Sequence, residues 1–131
     1  MAFRWFGRQD PVRLEYIRQT PGVRSEVSAL TVVPVGTAWP LDRVAALKDE
    51  VDRAGLDLAV IESMPVHEDI KLGRTTRDRY AYAYCESIGT LGRLGIFVLC
   101  YNFMPVFDWL RTDLAVHPDD PPRSIFATTA A

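Results

Sequence analysis

Three short apolar segments constrain the fold of this chain most strongly. They are residues 27–35, 58–61 and 96–100, and corresponding points in them lie about thirty to forty residues apart, which is the size of one strand–helix unit. A strand that alternates polar and apolar residues is buried on one face, whereas a continuously apolar strand is buried on both. The segments therefore predict a parallel sheet with both faces covered, preceded by a first strand at residues 3–6.

The sequence between these strands predicts three helices. The first opens at Asp10-Pro11, where aspartate can cap free amides and proline is tolerated. The second starts at Leu41, and the third opens at a capping box formed by Thr75 and Asp78. The inward-facing residues of the second and third helices are expected to be Val44, Leu47, Val51, Ala54, Tyr80, Tyr84, Ile88 and Leu91.

This order of elements predicts an α/β fold, namely the N-terminal half of a (β/α)8 TIM barrel. About four parallel strands and three helices fill residues 1–114, and residues 115–131 are expected to form an irregular tail because the pattern fails there. A doubly wound sheet is the alternative for one domain of this length, but no glycine-rich phosphate turn follows any strand. A complete barrel needs ~250 residues, so the 131 residues are expected to be half a barrel that stops early.

The composition is typical of a globular protein and points to no charged macromolecule as a partner. Hydrophobic residues make up 48% and charged residues 24% of the chain, and the net charge is -2, so neither a nucleic acid nor a membrane is expected as a partner. No apolar run approaches the ~20 residues of a membrane span. The two cysteines, Cys85 and Cys100, are expected to be reduced and buried, and a cytoplasmic location is expected.

Polar and aromatic side chains gather where the predicted strands end, which is the edge at which parallel α/β sheets keep their ligands. They are Arg4, Trp5, Trp39, Glu62, His67, Glu68, Asp69, Tyr101, Asn102, Asp108, Arg111 and Asp113. The charged loop 64–73 is unusually long for a plain connection. Alternatives stay open: Trp39 can be a packing plug, His67 can belong to a solvated loop, and Asn102 can bond a neighbouring loop instead of a ligand hydroxyl. The residues alone predict a site for a polar solute, with no named chemistry and no identified catalytic residue.

Several strings of the sequence resemble the N-terminal part of mannonate dehydratases, a family of the xylose-isomerase-like barrel group. The two most specific strings are PVHEDIKLG at residues 65–73 and CYNFMPVFDW at residues 100–109. Shorter matches, such as FRWFG at residues 3–7 and VIES at residues 60–63, keep the same order. The resemblance covers about residues 3–115.

The resemblance implies a hydro-lyase that dehydrates D-mannonate to 2-dehydro-3-deoxy-D-gluconate in glucuronate catabolism, with iron(II) or manganese(II) as its metal. It favours His67, Tyr101 and Asn102 as residues that contact the sugar acid, with Trp39 and Arg4 behind them. In that family the metal ligands come from the second half of the barrel. No metal ligand, and no metal bound by this chain alone, is therefore expected.

Two departures from the family leave other functions open. The sequence after Leu114 differs from what the resemblance predicts, as a frameshift or an early stop would cause, and Gly89 and Gly92 are unusual for the third helix. The chain can therefore be a catalytically inactive fragment, or a half-barrel that requires a complementary chain. An open fourth-strand edge favours self-association. A sugar isomerase of the same barrel group is a further alternative, which the specific strings disfavour.

Overall fold

The computed structural model describes residues 1–106, and within them the chain forms one parallel sheet. Its strands are β1 (Ala2–Arg4), β2 (Ser25–Ser28), β3 (Asp57–Glu62) and β4 (Val98–Cys100). They lie side by side in chain order, and each neighbouring pair is parallel. Sequential parallel strands joined by helical crossovers are the arrangement of a barrel segment. The predicted α/β fold is confirmed.

Four helices, one more than predicted, connect the strands within residues 1–106. They are α1 (Leu14–Gln19), α2 (Leu41–Arg53), α3 (Glu68–Lys71) and α4 (Arg77–Arg93). The additional helix, α3, is a single turn inside the predicted loop 64–73. His67 caps this turn because its side chain accepts the Asp69 N–H. Acidic residues in the first turn and a lysine in the last turn complement the helix dipole.

Two predicted helix starts are wrong. Asp10 does not open α1, because its carboxylate instead accepts the backbone N–H groups of Phe6 and Val12 in a turn before the helix. The capping box predicted for α4 does not form either. Thr76 is the N-cap residue and makes no side-chain cap bond, since its hydroxyl donates to the Asp69 carboxylate instead.

The second strand is shorter than the predicted range 27–35. The ladder to β3 ends at Ser28, and Val32 and Val35 beyond it are 74% and 51% exposed. Leu30 packs against the core without belonging to a strand. Apolar character alone does not separate a buried strand from a loop that rests on the core, which explains the error.

The hydrophobic core lies between the sheet and the helices. Its most buried apolar members are Ile17, Val44, Val51, Leu58, Ile61 and Leu91. The stripe predicted for α2 is confirmed at its three buried positions. The stripe predicted for α4 is wrong at Ile88, which is 47% exposed, whereas Ser87 and Leu91 are buried. Each fully buried aliphatic side chain contributes about 1.5–3 kcal/mol, so this layer fixes the helices against the strands.

The fourth strand is an exposed edge of the described sheet, so the prediction that it is buried on both faces is wrong. Val98 is 51% exposed and Phe97 before it is 83% exposed, because within residues 1–106 β4 pairs only with β3.

The prediction that both cysteines are buried is also wrong, for Cys100 in β4 and for Cys85 in α4. Cys100 and Cys85 are both exposed free thiols.

Some predictions concern residues beyond those that the structure describes. Asp108, Arg111, Asp113, the domain boundary at residue 114 and the irregular tail at residues 115–131 lie outside the described residues. Across residues 1–106, no helix combines the length and the apolar character that crossing a membrane requires.

Candidate functional site

The carboxyl ends of the parallel strands meet at one edge of the sheet, and Arg4 connects two of them. Arg4 ends β1, and its guanidinium donates a hydrogen bond to the backbone carbonyl of Glu62 at the end of β3. The same guanidinium lies 4.9 Å from the centroid of the Phe6 ring. The end of β4 joins this edge because the Met64 N–H donates to the Cys100 carbonyl at 3.3 Å. The ends of β1, β3 and β4 therefore form one connected surface.

His67 lies in the connection between β3 and α3, with its side chain 23% exposed. Its Nδ1 accepts the backbone N–H of Asp69 at 3.1 Å. An imidazole nitrogen that accepts a hydrogen bond carries no proton, so the neutral ring carries its proton on Nε2. The side chain therefore keeps one N–H that can donate to a ligand oxygen.

Tyr80 of α4 and Gly36 hold the imidazole of His67 in place. The tyrosine and histidine rings are stacked, with centroids 3.5 Å apart and planes inclined by 10°. Gly36 has a φ of +85°, and a Cβ at this position would lie 2.6 Å from the Tyr80 ring and 2.7 Å from His67. The gap that these residues line is about 10 Å³, barely enough for one water. The stack on Tyr80 therefore fixes the ring orientation, and Gly36 leaves room for both rings.

Trp39 lies in the core behind this site. Its side chain is 3% exposed, and its backbone N–H donates to the Ser87 hydroxyl at 2.9 Å. Ser87 in turn donates to the Ala83 carbonyl of α4 at 2.9 Å. This burial agrees with the interpretation of Trp39 as a packing residue. Its direct contact with a ligand stays a prediction.

Tyr101 and Asn102 follow β4 directly, as predicted from the sequence. Tyr101 is 61% exposed and Asn102 is half-buried. The residues after them form hydrogen bonds with Glu68 and Lys71, the first and last residues of α3. Lys71 Nζ donates to the Met104 carbonyl at 3.0 Å, and the Glu68 carboxylate accepts an N–H from the same segment. The strings PVHEDIKLG and CYNFMPVFDW therefore meet through α3.

The two acidic residues of α3 are held in their charged form. The hydrogen bond from the Val106 N–H, together with the nearby Lys71 ammonium, lowers the pKa of Glu68 below its usual value. The hydrogen bond from the Thr76 hydroxyl lowers the pKa of Asp69, with a smaller contribution from the Arg74 guanidinium. Both side chains are carboxylates at neutral pH, so their hydrogen bonds to donors are charge-assisted.

Sequence reasoning missed three residues that organise the site, Gly36, Lys71 and Tyr80, and it named Glu68 without its partner. The length and charge of the loop 64–73 gave a signal for Glu68 and Lys71, but their partners lie beyond β4, a separation that periodicity does not reveal. No local signal pointed to the stacking of Tyr80 on His67, because it depends on how α4 packs against the connection after β3.

The residues that the structure describes do not fit a metal centre. No group of three or more histidine, cysteine, aspartate or glutamate side chains within residues 1–106 could hold a metal ion. In this arrangement His67 Nδ1 is not free to bind an ion, because its lone pair accepts the backbone N–H of Asp69 at 3.1 Å. The described part of the site can bind and orient a polar ligand through hydrogen bonds.

Together the fold and the site define a class of protein. The chain is an α/β protein of the parallel-barrel type, with polar and aromatic residues at the carboxyl ends of its strands. The family model of D-mannonate dehydratase (UxuA) matches residues 1–116. The chain belongs to the D-mannonate dehydratase family.

Individual relatives agree with this assignment. A mannonate dehydratase from Thermotoga neapolitana is 60% identical over 115 residues, which are 87% of this chain and 32% of the relative. One from Streptococcus uberis is 54% identical over 127 residues, 96% of this chain and 36% of the relative. That alignment is longer than the predicted barrel segment, so it includes residues beyond position 114.

A solved structure shows the same fold. The crystal structure of mannonate dehydratase from Streptococcus suis serotype2 superposes with a TM-score of 0.84 at 55% identity, covering 87% of this chain and 33% of that chain. The chain spans about one third of the length of the relatives it matches. The match to a third of a longer chain agrees with the prediction of a partial barrel.

Proposed function

We propose that this chain supplies the N-terminal part of a mannonate dehydratase, which removes water from D-mannonate to form 2-dehydro-3-deoxy-D-gluconate in glucuronate catabolism. The observation that carries the proposal is the 54–60% identity to mannonate dehydratases over 87–96% of the chain. The strand-end site supports it, since a sugar acid offers the hydroxyl and carboxylate oxygens that hydrogen-bond donors recognise.

Within this proposal the described residues bind and orient the sugar acid. The Nε2–H of His67 donates to a hydroxyl or to the departing oxygen, and the Asn102 amide bonds a second hydroxyl. Tyr101 shapes the wall of the site, being exposed directly after β4. Arg4 and Trp39 act from behind, because the guanidinium is bonded to the end of β3 and the indole is buried.

The proposed cofactor is iron(II) or manganese(II), with its ligands supplied from outside the described residues. Such an ion would stabilise the negative charge that develops when the proton next to the carboxylate leaves. Because residues 1–106 present no metal-ligating group, catalysis is proposed to require a complementary part of the barrel. The exposed residues Phe97 and Val98 at the β4 edge support association of this chain with such a part or with itself.

A cytoplasmic location is also part of the proposal. Free thiols are typical of reducing compartments, and both Cys85 and Cys100 are free and exposed. The net charge of -2 supports a small-molecule ligand over a nucleic acid.

A chimera tests the proposed function directly. Residues 1–116 of this chain replace the corresponding part of the Thermotoga neapolitana relative, and the purified chimera receives manganese(II) and D-mannonate. Formation of 2-dehydro-3-deoxy-D-gluconate at a rate within about tenfold of the parent enzyme is the expected result. A chimera that melts cooperatively like its parent but forms no product contradicts the proposal.

The chain alone provides the matching control. With the same metal and substrate it is expected to form no product, because the metal ligands are proposed to lie elsewhere. Turnover by the isolated chain would contradict the proposed dependence on a complementary part, while leaving the dehydratase activity itself supported.

A further inference from the structure

The short helix α3 contacts the segment that follows β4 at two points. Val106 N–H donates to Glu68 Oε1 at 2.6 Å, and Lys71 Nζ donates to the Met104 carbonyl at 3.0 Å. One acceptor and one donor therefore extend from the two ends of a single helical turn. The segment 101–106 is therefore bonded, at Met104 and Val106, to the element that begins immediately after His67.

Lys71 is placed to act as a structural donor and not as a solvated surface charge. Its side chain is only 10% exposed, and its ammonium lies 3.4 Å from Glu68 Oε2. Lysine is rarely buried unless it is paired, and here both its charge and its hydrogen bonding are satisfied by Glu68 and Met104. The hydrogen bond from the Val106 N–H and, to a smaller extent, the Lys71 ammonium lower the pKa of Glu68, so the acceptor in this contact is a carboxylate.

The segment held by α3 is strained. Val106 has a φ of 70°, a left-handed conformation that β-branched residues rarely adopt. Such a conformation persists only where surrounding contacts enforce it. The contact that reaches its backbone N–H is the Glu68 carboxylate.

We infer that α3 is a clamp, in which Glu68 and Lys71 are positioning residues for the segment 101–106. They hold Asn102 in a fixed place relative to His67, since His67 is the N-cap of the same helical turn. Neither Glu68 nor Lys71 needs to touch the ligand. This inference rests on the proposed function only in assuming that His67 and Asn102 bind a common sugar acid.

The first test measures the clamp without any ligand. Hydrogen–deuterium exchange of the Val106 amide is followed by NMR in the 131-residue chain. Glu68→Ala is expected to accelerate this exchange by about tenfold or more, because a hydrogen bond to a charged acceptor is removed. Glu68→Gln keeps an acceptor oxygen and is expected to retain most of the protection. The amides of β3 should keep their exchange rates, which separates a local release from general destabilisation.

The second test measures what the clamp does for binding, using the chimera described above. Lys71→Met removes the ammonium but keeps the aliphatic stem, and it is expected to raise the KM for D-mannonate by about three- to tenfold with a smaller change in kcat. Lys71→Arg keeps a donor and should recover most of the affinity. The matched control is Lys48→Met on α2. Lys48 pairs with Asp52 at a distance of 3.1 Å and lies away from the carboxyl ends of the strands, so the KM of this variant should stay at the parent value.

The outcomes separate the clamp from the proposed function. Exchange of the Val106 amide that stays within about twofold in Glu68→Ala overturns the clamp. A KM that is equal in Lys71→Met and Lys48→Met overturns its role in positioning Asn102. If Val106 exchange responds as expected but His67→Ala and Asn102→Ala leave D-mannonate binding unchanged, the clamp is supported and the proposed sugar-acid site is what fails.

Discussion

The buried carboxyl of Glu26 should make the stability of this chain fall as the pH rises. Glu26 lies within β2, fully buried, next to Leu58 of β3 in the sheet register. Neither of its carboxylate oxygens has a hydrogen-bond partner among the described residues. Burial disfavours the charged form and raises the pKa of Glu26 from 4.5 to about 7.

The direction and size of the effect follow from proton linkage. Between pH 4.5 and about 7 the unfolded chain has released this proton while the folded chain still holds it, so the free energy of unfolding decreases with pH. The stabilisation is fully present below pH 4.5 and is lost as the pH rises through about 7. At about 1.4 kcal/mol per pKa unit, the loss amounts to about 3 kcal/mol.

The assay is urea denaturation of the wild-type chain and of Glu26→Gln at several pH values between 4 and 8.5. Glutamine has nearly the same shape as glutamate but does not titrate in this range. The free energy of unfolding of the variant, relative to that of the wild type, should therefore rise by about 3 kcal/mol from the acidic to the alkaline end of this pH range. Glu86→Gln, at an exposed position on α4, is the matched control and should keep the shape of the wild-type curve.

A stability difference between Glu26→Gln and the wild type that is independent of pH would refute this reasoning. It would mean that the carboxylate finds solvent or a partner when it ionises. The absolute offset between the two curves is not the test, because the glutamine amide introduces buried donors of its own.

Two packing predictions concern the support of the candidate site. Gly36→Ala should lower the free energy of unfolding by about 1–3 kcal/mol, because the added Cβ meets the Tyr80 and His67 rings and the residue has a positive φ. The measurement is urea denaturation, and a change below about 0.5 kcal/mol would show that the stack is loosely packed. Ser87→Ala should cost about 1–3 kcal/mol in the same assay, because the buried Trp39 N–H loses its acceptor, and a neutral result would mean that another acceptor replaces it.

Much of the fold was predictable because its dominant signals are local. The apolar runs of β3 and β4 and the three- and four-residue steps of Val44, Leu47 and Val51 depend only on neighbouring residues, and each located its element. The errors arose where contacts with distant segments determine whether a residue is buried or belongs to a strand. The segment after β2 is apolar because it rests on the core, and Ile88 is exposed although it matches the helical period.

The candidate site was less predictable than the fold, for a related reason. The positions of His67, Tyr101 and Asn102 after their strands were predictable, because parallel strands bring their carboxyl ends together, whereas their contact with a ligand stays a prediction. Gly36 and Tyr80 were not found, because their role depends on ring packing between distant segments. Family resemblance supplied the proposed substrate, whereas geometry supplied the contacts of α3.

The most direct test of the central claim is the KM for D-mannonate of site variants in the chimera. Asn102→Ala and His67→Ala should each raise KM or lower kcat/KM by about three- to tenfold, the value of one lost hydrogen bond. Tyr16→Ala, on the exposed side of α1, should leave both unchanged. Variants of Asn102 and His67 whose kinetics equal those of Tyr16→Ala would show that these strand-end residues do not bind the sugar acid.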